Sequence, residues 1–254
     1  MKIGVIGTGT IASAIVTGFC TKKAGYEFYL SPRNAEKAAA LAAEFSDVKV
    51  CASNQQVLDS AEWIFITVQK NAFDALKELK FTKDHKVLNM ATEMQLPTLR
   101  EITGETALLA HVVPLPMIVR GFGPLLVYPE APQVGELFAP VADAVYLPNM
   151  DDARTLQLLT CLMSPYYMLL DEFVKFTVTQ GVGYDTSIKF VHSLLGALTR
   201  RAVETPDHDL VELAHDMTPG GYNEQAMIEL MDNGAIPAWG TVIEKLRERL
   251  LASL

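Results

Sequence analysis

The first dozen residues constrain this chain more than any other stretch. Lys2-Ile3-Gly4-Val5-Ile6 is a compact β-type run, and Gly7-Thr8-Gly9-Thr10-Ile11-Ala12 follows it directly and opens a pattern of helical spacing through Phe19. A GxGxxA between a strand and a helix gives each small residue a physical task. Gly7 permits the tight turn, Gly9 lets a pyrophosphate approach the backbone, and Ala12 lets the helix lie close to the sheet, with the helix N-terminus facing the phosphates. The motif therefore predicts a dinucleotide held by Gly7, Thr8, Gly9, Thr10, Ile11 and Ala12. It also accounts for an uncharged N-terminal stretch that superficially resembles a signal peptide.

The end of the second expected strand selects the dinucleotide. An NAD site ends this strand with an acidic residue on the ribose 2′-hydroxyl. Here residues 27–30 run into Ser31-Pro32-Arg33-Asn34, with no acid in place. Ser31 and Arg33 can instead hold a 2′-phosphate, Arg33 through charge-assisted bonds, so NADP(H) is expected ahead of NAD(H).

Downstream, β-type runs at 48–51, 63–68, 86–90 and 108–113 alternate with helical patterns. Trp63-Ile64-Phe65-Ile66 is apolar on both faces, as a central parallel strand must be. Beyond residue 150 the strand signals fade, and 151–178, 186–204, 207–216, 224–233 and 239–254 read as helices. The expected fold is α/β: an N-terminal Rossmann-type doubly wound sheet (1–149) and a C-terminal all-helical domain (150–254). Helical residues such as Phe190, Val191, Leu194, Leu195 and Leu198 are apolar on more than one face. They predict a homodimer through the C-terminal helices, with room for a higher oligomer.

Composition removes other classes. The chain is 50% hydrophobic and 20% charged over 254 residues, which excludes a disordered or coiled-coil protein. A net charge of −9 argues against a nucleic-acid surface. Residues 107–128 are apolar but carry His111, Arg120 and three prolines, so no membrane span is expected. Three scattered cysteines form neither a disulfide framework nor a metal site and suit a reducing cytoplasm. Near the other end, Thr218-Pro219-Gly220-Gly221-Tyr222-Asn223 runs into a helix, and its glycine N–H groups can receive a carboxylate.

Together these residues resemble the pyrroline-5-carboxylate reductases over nearly the whole chain. Gly7–Ile15 is similar to that family's cofactor loop, Ser31-Pro32-Arg33-Asn34 to its NADP-selecting strand end, and Thr218-Pro219-Gly220-Gly221 to its C-terminal signature. Asn54 and Val68-Gln69-Lys70 fall where the family makes further cofactor contacts. The chain departs from the pattern at several positions. Val68-Gln69-Lys70 replaces Val-Lys-Pro, Thr92-Glu93 replaces Ala-Gly, Val113-Pro114-Leu115-Pro116-Met117 replaces Met-Pro-Asn-Thr-Pro, and Tyr222-Asn223 replaces Thr-Thr.

The resemblance implies a Rossmann domain, a helical dimerisation domain and NADPH-dependent reduction of a small cyclic imine acid, 1-pyrroline-5-carboxylate to proline. Gly220, Gly221 and Tyr222 would then hold the substrate carboxylate, Asn223 would orient the imine nitrogen and Thr218 would cap the loop. Two other readings stand beside this one. Gly181-Val182-Gly183 followed by Lys189 loosely echoes the proton-transfer lysine of β-hydroxyacid dehydrogenases, and the altered pocket residues also fit a non-catalytic NADP-binding module.

Overall fold

Alternation along the first strand already separates two cores. In Lys2–Ile6 (β1), Ile3 and Val5 pack into one apolar cluster and Ile6 into another. Gly4 lies where a Cβ would meet Val57 Cγ1 at 2.7 Å. The structure, a computed structural model, describes residues 1–205 and 209–252. Seven more strands complete one sheet: Glu27–Leu30 (β2), Val48–Val50 (β3), Trp63–Ile66 (β4), Lys86–Asn89 (β5), Leu108–Pro114 (β6), Pro124–Tyr128 (β7) and Asp143–Tyr146 (β8). Their order is β3-β2-β1-β4-β5-β6-β7-β8. β1 to β6 run parallel, β7 is antiparallel to β6, and β8 is parallel to β7. The sequence reading missed β7 and β8, which sit in a proline-punctuated stretch where pattern is weak. Strand order reverses between β1 and β4, so the loops leaving β1, β2, β4, β5 and β6 gather at one edge, where such sheets bind ligands.

Helices cover both faces of the sheet. Thr10–Thr21 (α1) and Pro132–Phe138 (α5) bury Phe19 and Phe138 with Phe28 and Phe65 in a run of ring contacts 5.2 to 5.9 Å apart. Burial of each ring contributes about 2–3 kcal/mol. Asn54–Ser60 (α3) and Leu96–Thr103 (α4) cover the other face through Val57, Leu58 and Leu99, against Ile64, Ile66 and Val87. Ala35–Glu44 (α2) follows β2, capped by Asn34 as its sequence predicts. A close approach fixes one glycine: a Cβ on Gly18 of α1 would lie 2.3 Å from the carbonyl oxygen of Ile118, in the 3-10 turn Pro116–Arg120.

The chain divides into two compact units, Met1–Gln157 and Leu158–Leu254. The division falls inside Met150–Leu159 (α6), not at residue 149. Ala153, with Met150 and Leu156, packs against Val113, Leu126 and Leu147 and so binds the start of α6 to the sheet unit. The second unit is helical: Met163–Thr179 (α7), Tyr184–Glu204 (α8), Leu210–His215 (α9), Tyr222–Asp232 (α10) and Ala235–Ala252 (α11). Residues 151–178 are two helices and not one, with the 3-10 turn Thr160–Leu162 between them. Pro165 explains the break, since it has no N–H to donate back along a continuous helix. The first part of the expected helix 207–216 and the last two residues of 239–254 lie outside the described residues. Among the described residues, no helix is long and apolar enough to cross a membrane, and no group of three His, Cys, Asp or Glu could hold a metal.

Candidate functional site

The glycine turn is built to leave donors free. Gly7 has φ +101°, and a Cβ there would press within 2.9 Å of the Thr67 backbone. Its N–H donates to Ser31 Oγ at 2.9 Å, and Thr67 Oγ1 donates back to its carbonyl oxygen. Thr8 is buried and donates to the Ser31 carbonyl oxygen at 3.2 Å. Gly9, by contrast, has nothing within 4 Å of its would-be Cβ and caps α1 without a side-chain bond. Two neighbouring helices are capped from within: Asn34 accepts from Lys37 N, and Ser53 accepts from Gln56 N. The N-terminus of α1 therefore presents unspent N–H groups and the positive end of its dipole to an open space, which suits a pyrophosphate.

That space is a crevice of about 520 Å³ lined by Gly7, Thr8, Gly9, Arg33, Asn34, Ala35, Glu36, Thr67, Val68, Gln69 and Asn71. The sequence reading placed six of these at the cofactor: Gly7, Thr8, Gly9, Arg33, Val68 and Gln69. Asn34, Ala35, Glu36, Thr67 and Asn71 were missed. Asn34 stands at the end of the NADP-selecting segment in the sequence, and its position just past a strand at the sheet's ligand edge was a usable signal.

Other expected residues sit elsewhere. Ser31 is 1% exposed, and its hydroxyl accepts from Gly7 N, so it braces the glycine turn and does not face a 2′-phosphate. Ala12 is buried in the core beneath α1. Thr10 accepts from Lys37 Nζ at 3.4 Å. Asn54 opens α3, and Lys70 lies exposed on the turn after Gln69; neither lines the crevice.

Past Val68 and Gln69, which line both spaces, a second pocket of about 290 Å³ continues over the ends of β4, β5 and β6. Ile11, Phe73, Met90, Ala91, Thr92, Glu93, Val113 and Pro114 complete its lining. The β5–α4 loop that supplies Glu93 is clamped by Asn89. Asn89 is fully buried, its Oδ1 accepts from Ala91 N at 3.1 Å, and its Nδ2 donates to the Met94 carbonyl oxygen at 2.6 Å. Those two bonds set the amide's orientation. His111 Nδ1, 3.2 Å from Asn89 Nδ2, must then accept, so the ring is neutral with its proton on Nε2. Burial, reinforced by the charge of Arg154, pulls the His111 pKa from 6.5 to about 4. His111 is thus a structural acceptor behind the pocket.

In the helical unit, Gly220 has φ +72°, as its place before α10 requires. Its N–H donates to Glu224 Oε2 at 2.6 Å, and Gly221 N donates to the Thr218 carbonyl oxygen at 3.0 Å. Both glycine N–H groups expected to receive a substrate carboxylate are thus used within the loop itself. Tyr222 is 90% exposed, Asn223 is also exposed, and Lys189 is exposed on α8.

Residues 2–91 match the model of a family described as NADP oxidoreductase, coenzyme F420-dependent. No curated protein sequence matches the chain. Among solved structures, 1-pyrroline-5-carboxylate reductase from Streptococcus pyogenes is similar at TM-score 0.82 and 20% identity, covering 98% of this chain and 97% of that one. Pyrroline carboxylate reductase from Plasmodium falciparum, solved with NADP bound, is similar at TM-score 0.81 and 14% identity, with 98% and 96% covered. An imine reductase from Aspergillus terreus follows at TM-score 0.57 and 17% identity, with 97% and 94% covered. The chain has the fold of the pyrroline-5-carboxylate reductases, a Rossmann-type sheet followed by a helical region, and its first ninety residues carry the match to the NADP oxidoreductase family.

Proposed function

We propose that this protein is an NADP(H)-dependent oxidoreductase that reduces the C=N bond of a small imine. One observation carries the reading: the crevice at the glycine turn and the pocket over the ends of β4, β5 and β6 are neighbours that share Val68 and Gln69 in their linings. A dinucleotide held there, with its pyrophosphate at Gly9 and its adenosine toward Arg33, would have its nicotinamide end at that pocket. When bound, NADPH supplies the hydride; the protein supplies alignment and the exclusion of water. Gly9 would admit the pyrophosphate, Arg33 would meet the 2′-phosphate, and the apolar wall of Ile11, Met90 and Val113 would shelter the reacting carbon. The relatives solved with NADP or NADPH bound support the cofactor assignment.

The resemblance supports 1-pyrroline-5-carboxylate, reduced to proline, as the first substrate to test, with Asn223 orienting the imine nitrogen and Thr218 capping the loop. Pairing of two copies through the helical unit is also part of the proposal: Phe176, Phe190 and Leu198 are all more than half exposed on α7 and α8. The three cysteines are free, which fits a reducing cytoplasm. The test is NADPH oxidation followed spectroscopically with 1-pyrroline-5-carboxylate and its six-membered homologue. Imine-dependent oxidation is expected. Tight NADPH binding with no imine turned over would leave a binding module instead.

Arg33 tests the cofactor half separately. Glu36 shares the crevice and favours the 2′-hydroxyl of NAD, so the preference rests on the guanidinium. Arg33→Ala is expected to raise the Kd for NADPH about 10- to 100-fold, the worth of charge-assisted bonds, and to leave NADH within about threefold. An equal loss for both cofactors would move the 2′-phosphate away from Arg33.

A further inference from the structure

We infer that Glu93 holds the protonated nitrogen of the bound substrate, and that this pocket therefore prefers cationic imines without a carboxylate next to the nitrogen. The inference rests on the proposed reduction of C=N, changes its substrate class, and gives the substrate nitrogen to Glu93 in place of Asn223.

Among the described residues, Glu93 is the one charged side chain on the pocket at the nicotinamide end; its companions are apolar apart from Gln69 and Thr92. No described lysine, arginine or histidine lines that pocket, so a substrate carboxylate placed there meets a like charge and no counter-charge from these residues. A protonated imine meets the reverse. The turn that carries the carboxylate is also held in place. Asn89 ties both ends of the turn, through Ala91 N and the Met94 carbonyl oxygen, and Met94 N donates back to Ala91 O at 3.0 Å. Met94 is 2% exposed, anchored among Leu99 and Val87, while Thr92 and Glu93 between the anchors stand exposed. A clamped turn removes the backbone's share of the ordering cost when the side chain binds a cation, which favours a counter-ion at this position.

The chemistry balances simply. The imine nitrogen takes a proton from water, the carbon receives the cofactor's hydride, and the C=N π pair becomes the nitrogen lone pair of the product amine, leaving NADP+. Glu93 stabilises the cationic form that accepts hydride, without itself gaining or losing a proton.

The experiment compares the full-length parent with Glu93→Gln and Glu93→Asp. The probes are 1-pyrroline and 1-pyrroline-5-carboxylate in turnover, and pyrrolidine and proline in equilibrium binding to the NADP+ complex. In the parent, kcat/KM for 1-pyrroline should exceed that for the carboxylate at least about tenfold. Glu93→Gln should lower 1-pyrroline turnover and pyrrolidine affinity about tenfold or more while leaving NADPH affinity and the melting temperature unchanged, and Glu93→Asp should restore part of the loss. A parent that favours the carboxylate substrate, or a Glu93→Gln variant with unaltered pyrrolidine binding, would overturn the inference. If neither imine is reduced, the proposed function fails, and the pyrrolidine titration alone still decides the role of Glu93.

Discussion

Gly9→Ala should weaken NADPH binding about 100-fold, close to 3 kcal/mol, while the melting temperature stays within about 2 °C of the parent. Gly7→Ala, two residues away, should show the opposite pattern, with the fold losing about 3 kcal/mol. The contrast comes from what each absent side chain would meet. At Gly9 a Cβ finds no protein atom within 4 Å, and the backbone (φ −90°, ψ −169°) is one that alanine adopts readily. The methyl group fills only the space where a pyrophosphate would lie against the N–H groups of α1. At Gly7 a φ of +101° and the Thr67 backbone at 2.9 Å resist any side chain, whether or not a cofactor is present. Thermal unfolding beside a fluorescence titration with NADPH separates the two. Unchanged affinity in Gly9→Ala would remove the glycine turn from the cofactor site.

The second large effect is a loss of stability in acid traceable to one ring. His111 is 5% exposed, and its pKa is drawn from 6.5 to about 4, first by burial and second by the charge of Arg154. Protonation would also set a new N–H against the Asn89 amide, whose other bonds prevent it from turning round. The unfolded chain therefore takes up this proton near pH 6.5, whereas the folded chain resists until about pH 4. The contribution is fully present above pH 6.5 and disappears as pH falls through 4, amounting to about 3 kcal/mol. His111→Gln keeps an acceptor and removes the titration. At pH 7.5 the parent should be the more stable. By pH 4.5 the difference should shift toward the variant by about 2–3 kcal/mol, read from denaturant unfolding at the two pH values. A difference that does not move with pH would show that the ring is not held neutral.

Local chemistry made much of the sheet unit legible from sequence. Trp63-Ile64-Phe65-Ile66 has no polar face and could only be a central strand, and Gly7-Thr8-Gly9 after a strand could only be a tight turn into a helix. Asn34 ahead of an alanine-rich helix announced its cap. Where several distant segments decide the outcome, the same reasoning stopped short. Ser31 looked like a phosphate ligand because it stands beside Arg33 in sequence, but the parallel pairing of β1 with β2 buries its hydroxyl under Gly7 N, out of the crevice lining. Gly220 and Gly221 looked like open donors because a glycine pair exposes its backbone, yet Glu224, one helical turn on, reaches back to one of them.

Glu93 shows the division most plainly. Its place after a strand at the ligand-binding edge allowed it to face the cleft, but the sequence favoured a plain loop carboxylate. Asn89 clamps its turn from β5, and β4 and β6 supply the walls beside it, so its place on the pocket depends on three strands adjacent in the sheet but 20 or more residues apart in the chain. Periodicity, turn chemistry and the glycine motif act over a few residues, and they determined the elements, the doubly wound sheet and the cofactor edge of this protein. Which polar groups remain unspent at that edge was decided only by tertiary structure, because each hydrogen bond formed across the fold removes a donor or acceptor that the sequence still shows as free.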